Sequence, residues 1–454
     1  MPTTHNRIAN LLKKTRDDGL TGQLVRGALG SIAIKVTGIM IGVALTIVLA
    51  RMLGPEGYGT YAYIFAIISI LAIPAQLGIP RLVIRETAKA QLKKDWCLIR
   101  GLWRWATLVV LILSAMLVCA AAGVTWAWGS DLGGSDGILR TTLFFALLLI
   151  PLIALGNLRG AALQGLRHIV WGQFPEQVVR PGLFVLLLLA STWWSTSSLT
   201  PSDAMGLHVF ASGAAVIFGA LLLHYSRPTP LLLKPTPVYR PRLWIKATLP
   251  LALTAGMVQI NQHTDLIMLR FFLTSDSVGI YRVATQSAAI VVFAQQTAGM
   301  LAPPYYARLY AEGDMKRLQR FVTVNARIAF STALPLVLIF LLFGEEIISY
   351  LFGPDYEGAY TPLLILAVGQ LINTLFGHVG MLLNMTGHER DTAKGMAIAA
   401  ILNVTLTFIF IPLWGTSGAA IATALTLFLR NYVLWKILDK RISIRSEAFF
   451  NNRL

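Results

Sequence analysis

Apolar runs of about 20 residues recur along the chain, and this repetition constrains the fold more than any other feature of the sequence. An α-helix needs about 20 predominantly apolar residues to cross the hydrocarbon core of a bilayer. Charged residues make up 13% of the chain, against about 25% in soluble domains. The sequence therefore predicts an all-α polytopic membrane protein of about twelve transmembrane helices, with spans at 28–50, 60–80, 104–124, 141–158, 178–194, 206–225, 247–270, 280–302, 326–344, 360–383, 395–413 and 417–436.

Lysine and arginine residues are distributed unevenly between the predicted loops. Of the 38, all except Arg51, Arg140, Arg270 and Arg282 fall on the side of the predicted membrane that carries both chain ends. Loops rich in Lys and Arg remain in the cytoplasm, so the asymmetry predicts that both chain ends are cytoplasmic. The net charge of +17 is then explained by topology and by contact with membrane lipids, and no nucleic-acid partner is expected.

Two landmarks in the first half of the sequence recur about 220 residues later. The stretch "ARMLGPEGYGTY" resembles "LRFFLTSDSVGIY", which aligns Gly59 with Gly279. The stretch "LQGLRHIVWG" resembles "MTGHERDTAKG", which aligns Gly165 with Gly387. Because each half holds an even number of helices, both halves enter the membrane from the same side. We therefore predict two parallel-repeat six-helix bundles around a central cavity.

The boundaries of these halves follow from the spans and from a proline-rich break. The stretch "YSRPTPLLLKPTPVYRPRLW" contains five prolines, which prevent a helix from running through it. At the N-terminus, "RIANLLKKTRDD" fits either a basic amphipathic helix on the membrane surface or a disordered segment. We predict a basic cytoplasmic segment at 1–27, an N-terminal bundle at 28–225, a cytoplasmic linker at 226–246, a C-terminal bundle at 247–436 and a cytoplasmic tail at 437–454.

One predicted span interrupts the apolar pattern with a polar cluster. The stretch "VQINQHTDLIMLRF" carries Gln259, Asn261, Gln262, His263 and Asp265, which spread over roughly 200° of a helix surface. That arc is too broad to face lipid and suits a helix that lines a wet cavity. Since ionisable groups at membrane depth usually face the bundle interior, we predict Asp265 and His263 as ion-coupling residues for H⁺ or Na⁺. The three amides are predicted to bind substrate, and mutual hydrogen bonds that join helices are the competing explanation.

Four basic residues are candidate contacts for an anionic substrate. Lys35 lies about two turns inside the first predicted span, where it either contacts substrate or reaches back to the cytoplasmic headgroups. Arg180 has Glu176 one turn before it, so an intrahelical ion pair competes with a substrate contact. Arg81 and Arg85 are one turn apart at a helix end, a spacing that suits a bidentate phosphate clamp as well as anchoring at the membrane interface.

The sequence contains neither of two common motifs for ATP and metal binding. There is no Gly-x-x-x-x-Gly-Lys-Ser/Thr loop for ATP, and no His-Glu-x-x-His motif or cysteine cluster for a metal. We therefore expect no cofactor and no enzymatic activity. A membrane-embedded sugar or acyl transferase is a less favoured alternative, because it would need a His or carboxylate pair facing one leaflet.

Two long stretches resemble bacterial polysaccharide flippases, the O-antigen-type exporters of lipid-linked oligosaccharides: "ARMLGPEGYGTYAYIFAIISILAIPAQLGIPRLVIRE" and "LNVTLTFIFIPLWGTSGAAIATAL". That family shares a superfamily with multidrug and toxin extrusion transporters and the lipid II flippase. The resemblance implies a multi-pass transporter of the bacterial cytoplasmic (inner) membrane. It would flip a polyprenyl-diphosphate-linked oligosaccharide to the outer leaflet by ion-coupled alternating access, with polysaccharide polymerase or assembly proteins as partners. A multidrug/cation antiporter of the same superfamily is the alternative, and it predicts an acidic cavity.

Overall fold

The computed structural model describes residues 20–127, 137–194, 199–233, 235–299 and 302–448. Within these ranges the secondary structure is helical, without a β-strand. The surface helix considered for "RIANLLKKTRDD" and the last residues of the predicted tail lie outside them. The described part of the chain confirms the predicted all-α class.

The N-terminal half contributes six membrane crossings. Its elements in chain order are α1 (Leu20–Gln76), α2 (Ile79–Leu92), α3 (Trp96–Ala127), α4 (Gly137–Leu147), α5 (Leu149–Gly165), α6 (Ile169–Phe174), a π-helical turn (Pro175–Val179), α7 (Arg180–Trp194), α8 (Pro201–Tyr225) and α9 (Thr229–Leu232). Helix α1 supplies two crossings because it breaks at Gly54, whose φ of 66° is left-handed and favours glycine. Helices α4 and α5 together form one crossing, as do α6, the π-helical turn and α7.

The C-terminal half repeats this plan. Its elements are α10 (Pro241–Phe272), α11 (Ser275–Gly299), α12 (Ala302–Ala311), α13 (Met315–Phe352), a 3₁₀ turn (Pro354–Ala359), α14 (Tyr360–Leu375), α15 (Val379–Met385) and α16 (Glu389–Ile442). Helix α16 breaks at Gly415, where φ is 59°, and also supplies two crossings. Within the described ranges, 9 helical segments are long and apolar enough to span a membrane. Counting the two broken ones twice and adding the more polar α11 gives the twelve crossings that the sequence predicted.

The repeated glycines bring the two halves into contact. A Cβ atom added to Gly59 would overlap the carbonyl oxygen of Ser275, and one added to Gly279 would overlap that of Pro55. Pro55 and Ser275 differ by the same 220 positions as the two glycines, so the contact is symmetric about a pseudo-two-fold axis. Small residues allow helix backbones to approach this closely. The contact confirms the two parallel repeats.

Later elements keep the same offset. Helices α6 and α16 begin 220 residues apart, each directly after a histidine, His168 and His388. The predicted alignment of Gly165 with Gly387 is displaced by two residues, because α5 ends at Gly165 whereas α15 ends two residues before Gly387. The two bundles therefore match helix by helix although the turns between helices differ.

The segment that joins the halves packs on the N-terminal half. It runs from the end of α8 to Pro241, which occupies the first turn of α10, where a missing N–H is tolerated. Val238 donates its backbone N–H to the carbonyl oxygen of Cys97 at 3.1 Å. Gly101 lies so close to the Val238 carbonyl that a Cβ atom would overlap it. The joining segment is thus held against the start of α3.

Candidate functional site

A cavity of about 600 Å³ lies between the two halves. It is called the central cavity below, and its walls come from α1, the π-helical turn, α7, α10, α11, α14 and α16. Much of the lining is polar, although the surrounding helices are apolar. The polar lining residues are Lys35, Glu176, Gln177, Asn261, Gln262, Asp265, Tyr281, Thr285, Gln296, Gln370 and Thr423.

Asp265 is held at the junction of three helices. It is 7% exposed, and its Oδ2 accepts hydrogen bonds from the hydroxyls of Tyr281 at 2.9 Å and Thr423 at 2.6 Å. Neither hydroxyl reaches its Oδ1, which is also buried. The Asn403 side chain is a hydrogen-bonding neighbour of this carboxyl group, and its own Oδ1 is buried without a partner among the described residues. Asn403 and the two hydroxyls are therefore the polar groups that surround Asp265.

Helix α1 begins and helix α16 ends at the same end of the bundle, which is called the terminal end below. A smaller chamber of about 170 Å³, called the deep chamber, lies farther from the terminal end than the central cavity does. Pro181 borders both spaces. The deep chamber is lined by Arg180 and Arg282, which come from opposite halves. Arg180 forms the intrahelical ion pair with Glu176, at 3.2 Å, that the sequence left open beside a substrate contact. Arg282 has no ion-pair or hydrogen-bond partner among the described side chains.

The predicted topology placed Arg282 at a helix end on the side opposite the termini, whereas the structure places it inside a crossing. Helix α11 begins at Ser275, so Arg282 lies two turns inside it and is half-buried in the chamber wall. The difference arose because the predicted span began at 280. The repeat contained a signal that Arg282 is special. Its counterpart in the N-terminal repeat, 220 positions earlier, is Ala62, which lines the same chamber. Only the C-terminal repeat carries a cation at this position.

Glu176 also lies inside a crossing, because this helical crossing begins at Ile169 rather than at the predicted position 178. It belongs to the π-helical turn, and such turns occur frequently at functional sites. Its carboxylate lies against Gly156 of α5, where a Cβ atom would overlap Oε1. The carboxylate reaches the cavity wall while paired with Arg180. The glycine is needed because a larger residue would displace this ion pair.

The structure brings five of the sequence-predicted site residues together between the halves. Lys35, Asn261, Gln262 and Asp265 line the central cavity, and Arg180 lines the deep chamber. The other four predicted residues line neither space. Residues that the sequence did not single out complete the site, above all the two hydroxyl groups on Asp265 and the Arg282 guanidinium.

His263 and Gln259 lie on another face of α10. The His263 ring packs edge-on against Phe65 of α1, with ring centroids 6.4 Å apart, and its Nδ1 has no partner among the described residues. Gln259 precedes it by one turn on the same face. The polar arc is thus divided between the cavity wall and the contact between the halves.

No group of three His, Cys, Asp or Glu side chains in the described ranges is placed to hold a metal ion.

Arg81 and Arg85 lie on α2 near the terminal end and differ in their partners. Arg81 donates a hydrogen bond to the Thr254 hydroxyl at 2.9 Å, which connects the two halves. Arg85 forms an ion pair with Glu86 at 2.9 Å. Neither residue lines a cavity formed by the described residues, so the two arginines do not form the predicted phosphate clamp there.

Contacts between the halves close the end opposite the terminal end. Arg51 donates from Nε to the Leu351 carbonyl at 2.8 Å, and its other donor binds the Tyr350 carbonyl. The Tyr356 hydroxyl donates to the Ala50 carbonyl at 3.0 Å. Together with the glycine contact described above, these residues form what is called the closed end.

Two six-helix bundles around a polar cavity closed at one end define the fold of a membrane transporter. The chain superposes on the inward-facing conformation of a multidrug resistance MATE family transporter of the MOP superfamily with a TM-score of 0.75, at 16% identity, over 92% of this chain and 98% of that chain. For the lipid II flippase MurJ in an inward closed conformation the TM-score is 0.70, at 14% identity, over 90% and 87% of the two chains. An outward-facing MATE family transporter gives 0.64, at 18% identity, over 95% and 97%.

A family model described as "Polysaccharide biosynthesis protein" matches residues 24–310, and this chain belongs to that family. The "Putative O-antigen transporter" of Shigella flexneri is 24% identical over 423 residues, covering 87% of this chain and 93% of that protein. The "Probable low-salt glycan biosynthesis flippase Agl15" of Haloferax volcanii is 24% identical over 183 residues, which cover 40% of this chain and 39% of that protein. The match therefore spans about two fifths of the length of Agl15. The family resemblance found in the sequence is confirmed.

Proposed function

We propose that this protein moves a polyprenyl-diphosphate-linked oligosaccharide from the cytoplasmic to the outer leaflet of the bacterial inner membrane, for cell-surface polysaccharide biosynthesis. Family membership and the names of its relatives support the substrate class. The distribution of basic residues supports cytoplasmic termini. On that orientation the closed end faces outward, and the central cavity faces the cytoplasm, where such a substrate is made.

The observation that carries the proposal is the unpaired positive charge between the halves. Lys35 and Arg282 have no acidic partner among the described residues, whereas Arg180 pairs with Glu176. The remaining acid, Asp265, is held by hydroxyl groups. A cation antiporter would need unpaired acids to bind its substrate, and the deep chamber presents arginines instead. Arginine binds phosphate oxygens in a bidentate geometry, so the chamber suits a diphosphate.

Binding of a diphosphate would favour rearrangement because the cations belong to different halves. Lys35 comes from the N-terminal half and Arg282 from the C-terminal half. A substrate that contacts both cations interacts differently with the open and the closed arrangement, and this difference is what a ligand needs in order to shift a conformational equilibrium. The amides Gln177, Asn261 and Gln262 in the cavity wall provide hydrogen bonds for sugar hydroxyls.

Asp265 is the proposed ion-coupling residue. Its carboxylate takes a proton or Na⁺ at the junction of α10, α11 and α16, through the Oδ1 atom that neither hydroxyl contacts. A charge at membrane depth is costly, so gain or loss of that ion changes which packing of the three helices is favoured. We propose no chemical step on the substrate, and a purified protein that converted it to another product would contradict this. The polymerase or assembly proteins that use the flipped lipid are the proposed partners.

Binding by the Arg282→Gln variant tests the substrate class. We expect its affinity for a polyprenyl-diphosphate oligosaccharide to fall roughly 10- to 100-fold, because a charged hydrogen bond contributes about 1.5–3 kcal/mol. The measurement is titration of purified protein in detergent, with the same polyprenol lacking the diphosphate as the reference ligand. Arg140→Gln is the matched control, since Arg140 is an exposed arginine of α4 that lies over the Phe144 ring at 5.8 Å. Wild-type affinity in Arg282→Gln, or equal binding of the two lipids, would count against the proposal.

A further inference from the structure

A second large cavity, of about 630 Å³, lies outside the site described above and wholly within the N-terminal half. It is enclosed by α2, α3, α5, α8 and α9, near the terminal end. Its lining contains no Asp or Glu residue. Four arginines line it, and it is called the arginine pocket below: Arg100, Arg104, Arg159 and Arg227.

The arginines of this pocket keep donors unused. Arg159 donates one hydrogen bond, to the Val216 carbonyl at 3.3 Å. Arg227 lies over the Trp103 ring at 6.0 Å, and its Nε is buried without a hydrogen-bond partner among the described residues. Arg104 is exposed, and none of the four is in an ion pair within the described part of the chain. Because a guanidinium carries five donors, the pocket has capacity for an anion.

The polar and apolar parts of the pocket lie at different depths. Arg100 and Arg227 stand near helix ends at the terminal end, and Arg159 lies almost two turns inside α5. Further along α3 the wall continues with Leu108 and Leu111, which are 58% and 43% exposed. A molecule with an anionic head and an apolar tail therefore matches the pocket better than a small hydrophilic anion.

We propose that the arginine pocket binds the phosphate of an anionic phospholipid of the surrounding bilayer, with an acyl chain along Leu108 and Leu111. Basic pockets between transmembrane helices on the cytoplasmic side bind anionic headgroups. Unbalanced charge at membrane depth is costly. The Glu176 carboxylate already acts on Arg159, and a phosphate would compensate the Arg227 guanidinium group, whose Nε has no partner among the described residues. Arg100 also donates to the Pro235 carbonyl at 2.5 Å, so the bound lipid would lie beside the segment that joins the two halves.

Lipid binding to the purified full-length protein tests this proposal. The probes are dioleoyl phosphatidylglycerol, dioleoyl phosphatidylcholine and inorganic phosphate, and native mass spectrometry measures the lipid-bound fraction against lipid concentration. We expect phosphatidylglycerol to bind more tightly than phosphatidylcholine and inorganic phosphate not to displace it. Arg104→Gln should weaken phosphatidylglycerol binding about fivefold, and the double variant Arg104→Gln/Arg227→Gln roughly 20-fold.

Arg167→Gln is the matched control, because Arg167 is an exposed arginine of the same half that does not line the pocket. It should bind phosphatidylglycerol as the wild type does. Equal binding of the two phospholipids, displacement by inorganic phosphate, or equal affinity of Arg104→Gln and Arg167→Gln would overturn the proposal. Arg104 is exposed, so its replacement leaves no buried group unpaired, and the single variant suffices if the double variant does not fold.

Discussion

Asp265→Asn should abolish the response of transport to an ion gradient. Across a tenfold gradient, one coupled ion per cycle contributes about 1.4 kcal/mol, which corresponds to a tenfold change. The variant should therefore lose a roughly tenfold stimulation. Asparagine keeps an oxygen that can accept from the Tyr281 and Thr423 hydroxyls but provides no carboxylate for a proton or Na⁺. Transport rates in proteoliposomes, with and without an imposed pH or Na⁺ gradient, measure the effect.

Asp203→Asn provides the control for removing a carboxylate. Asp203 belongs to a capping box with Thr200 at the start of α8, outside the central cavity. The variant should keep the gradient response, because Asp203 lies outside the central cavity. The asparagine side-chain oxygen can still accept a hydrogen bond from the Thr200 backbone N–H, so the substitution costs the helix little. If Asp265→Asn responded to the gradient as strongly as Asp203→Asn, Asp265 would have only a structural role.

Gly59→Val should open the closed end. A side chain at Gly59 overlaps the Ser275 carbonyl oxygen, and a backbone atom cannot move away by changing rotamer. Overpacking costs about 1–3 kcal/mol, which raises the population of the opened arrangement about tenfold or more. The readout is the labelling of Thr46→Cys in the deep chamber by a membrane-impermeant thiol reagent added at the closed end.

The background for this labelling carries Cys97→Ser and Cys119→Ser, which remove both native thiols. Gly206→Val is the matched control, because a Cβ atom at Gly206 meets nothing within 4 Å. Labelling in Gly59→Val should be about tenfold faster than in Gly206→Val. Equal rates in the two variants would show that the glycine contact does not keep this end closed.

The helices could be predicted from the sequence because bilayer thickness fixes the length of each apolar run. The contact between the halves was also detectable, since Gly59 and Gly279 stand at equivalent positions of the repeat. Helix limits were predicted less well, because hydropathy marks lipid contact rather than the ends of a helix. Glu176 and Arg282 were assigned to helix ends for that reason, although both lie inside crossings.

The candidate site could be predicted only in part. Helical spacing places Asn261 and Asp265 on one face of α10, and both line the central cavity. Spacing does not reveal which neighbour covers each part of a polar arc, so the contact of His263 with α1 was not foreseeable. The hydroxyls that hold Asp265 come from Tyr281 and Thr423, which are 16 and 158 positions away, and such partners are set by tertiary packing.

Leaflet exposure of a polyprenyl-diphosphate oligosaccharide in liposomes that contain the purified protein tests the central claim most directly. The oligosaccharide begins on one leaflet, and an impermeant reagent detects its appearance on the other. We expect exposure to increase with time, faster under a pH or Na⁺ gradient and much more slowly with Arg282→Gln than with Arg140→Gln. Exposure that equals that of protein-free liposomes under every gradient would contradict the proposal that this chain is a flippase.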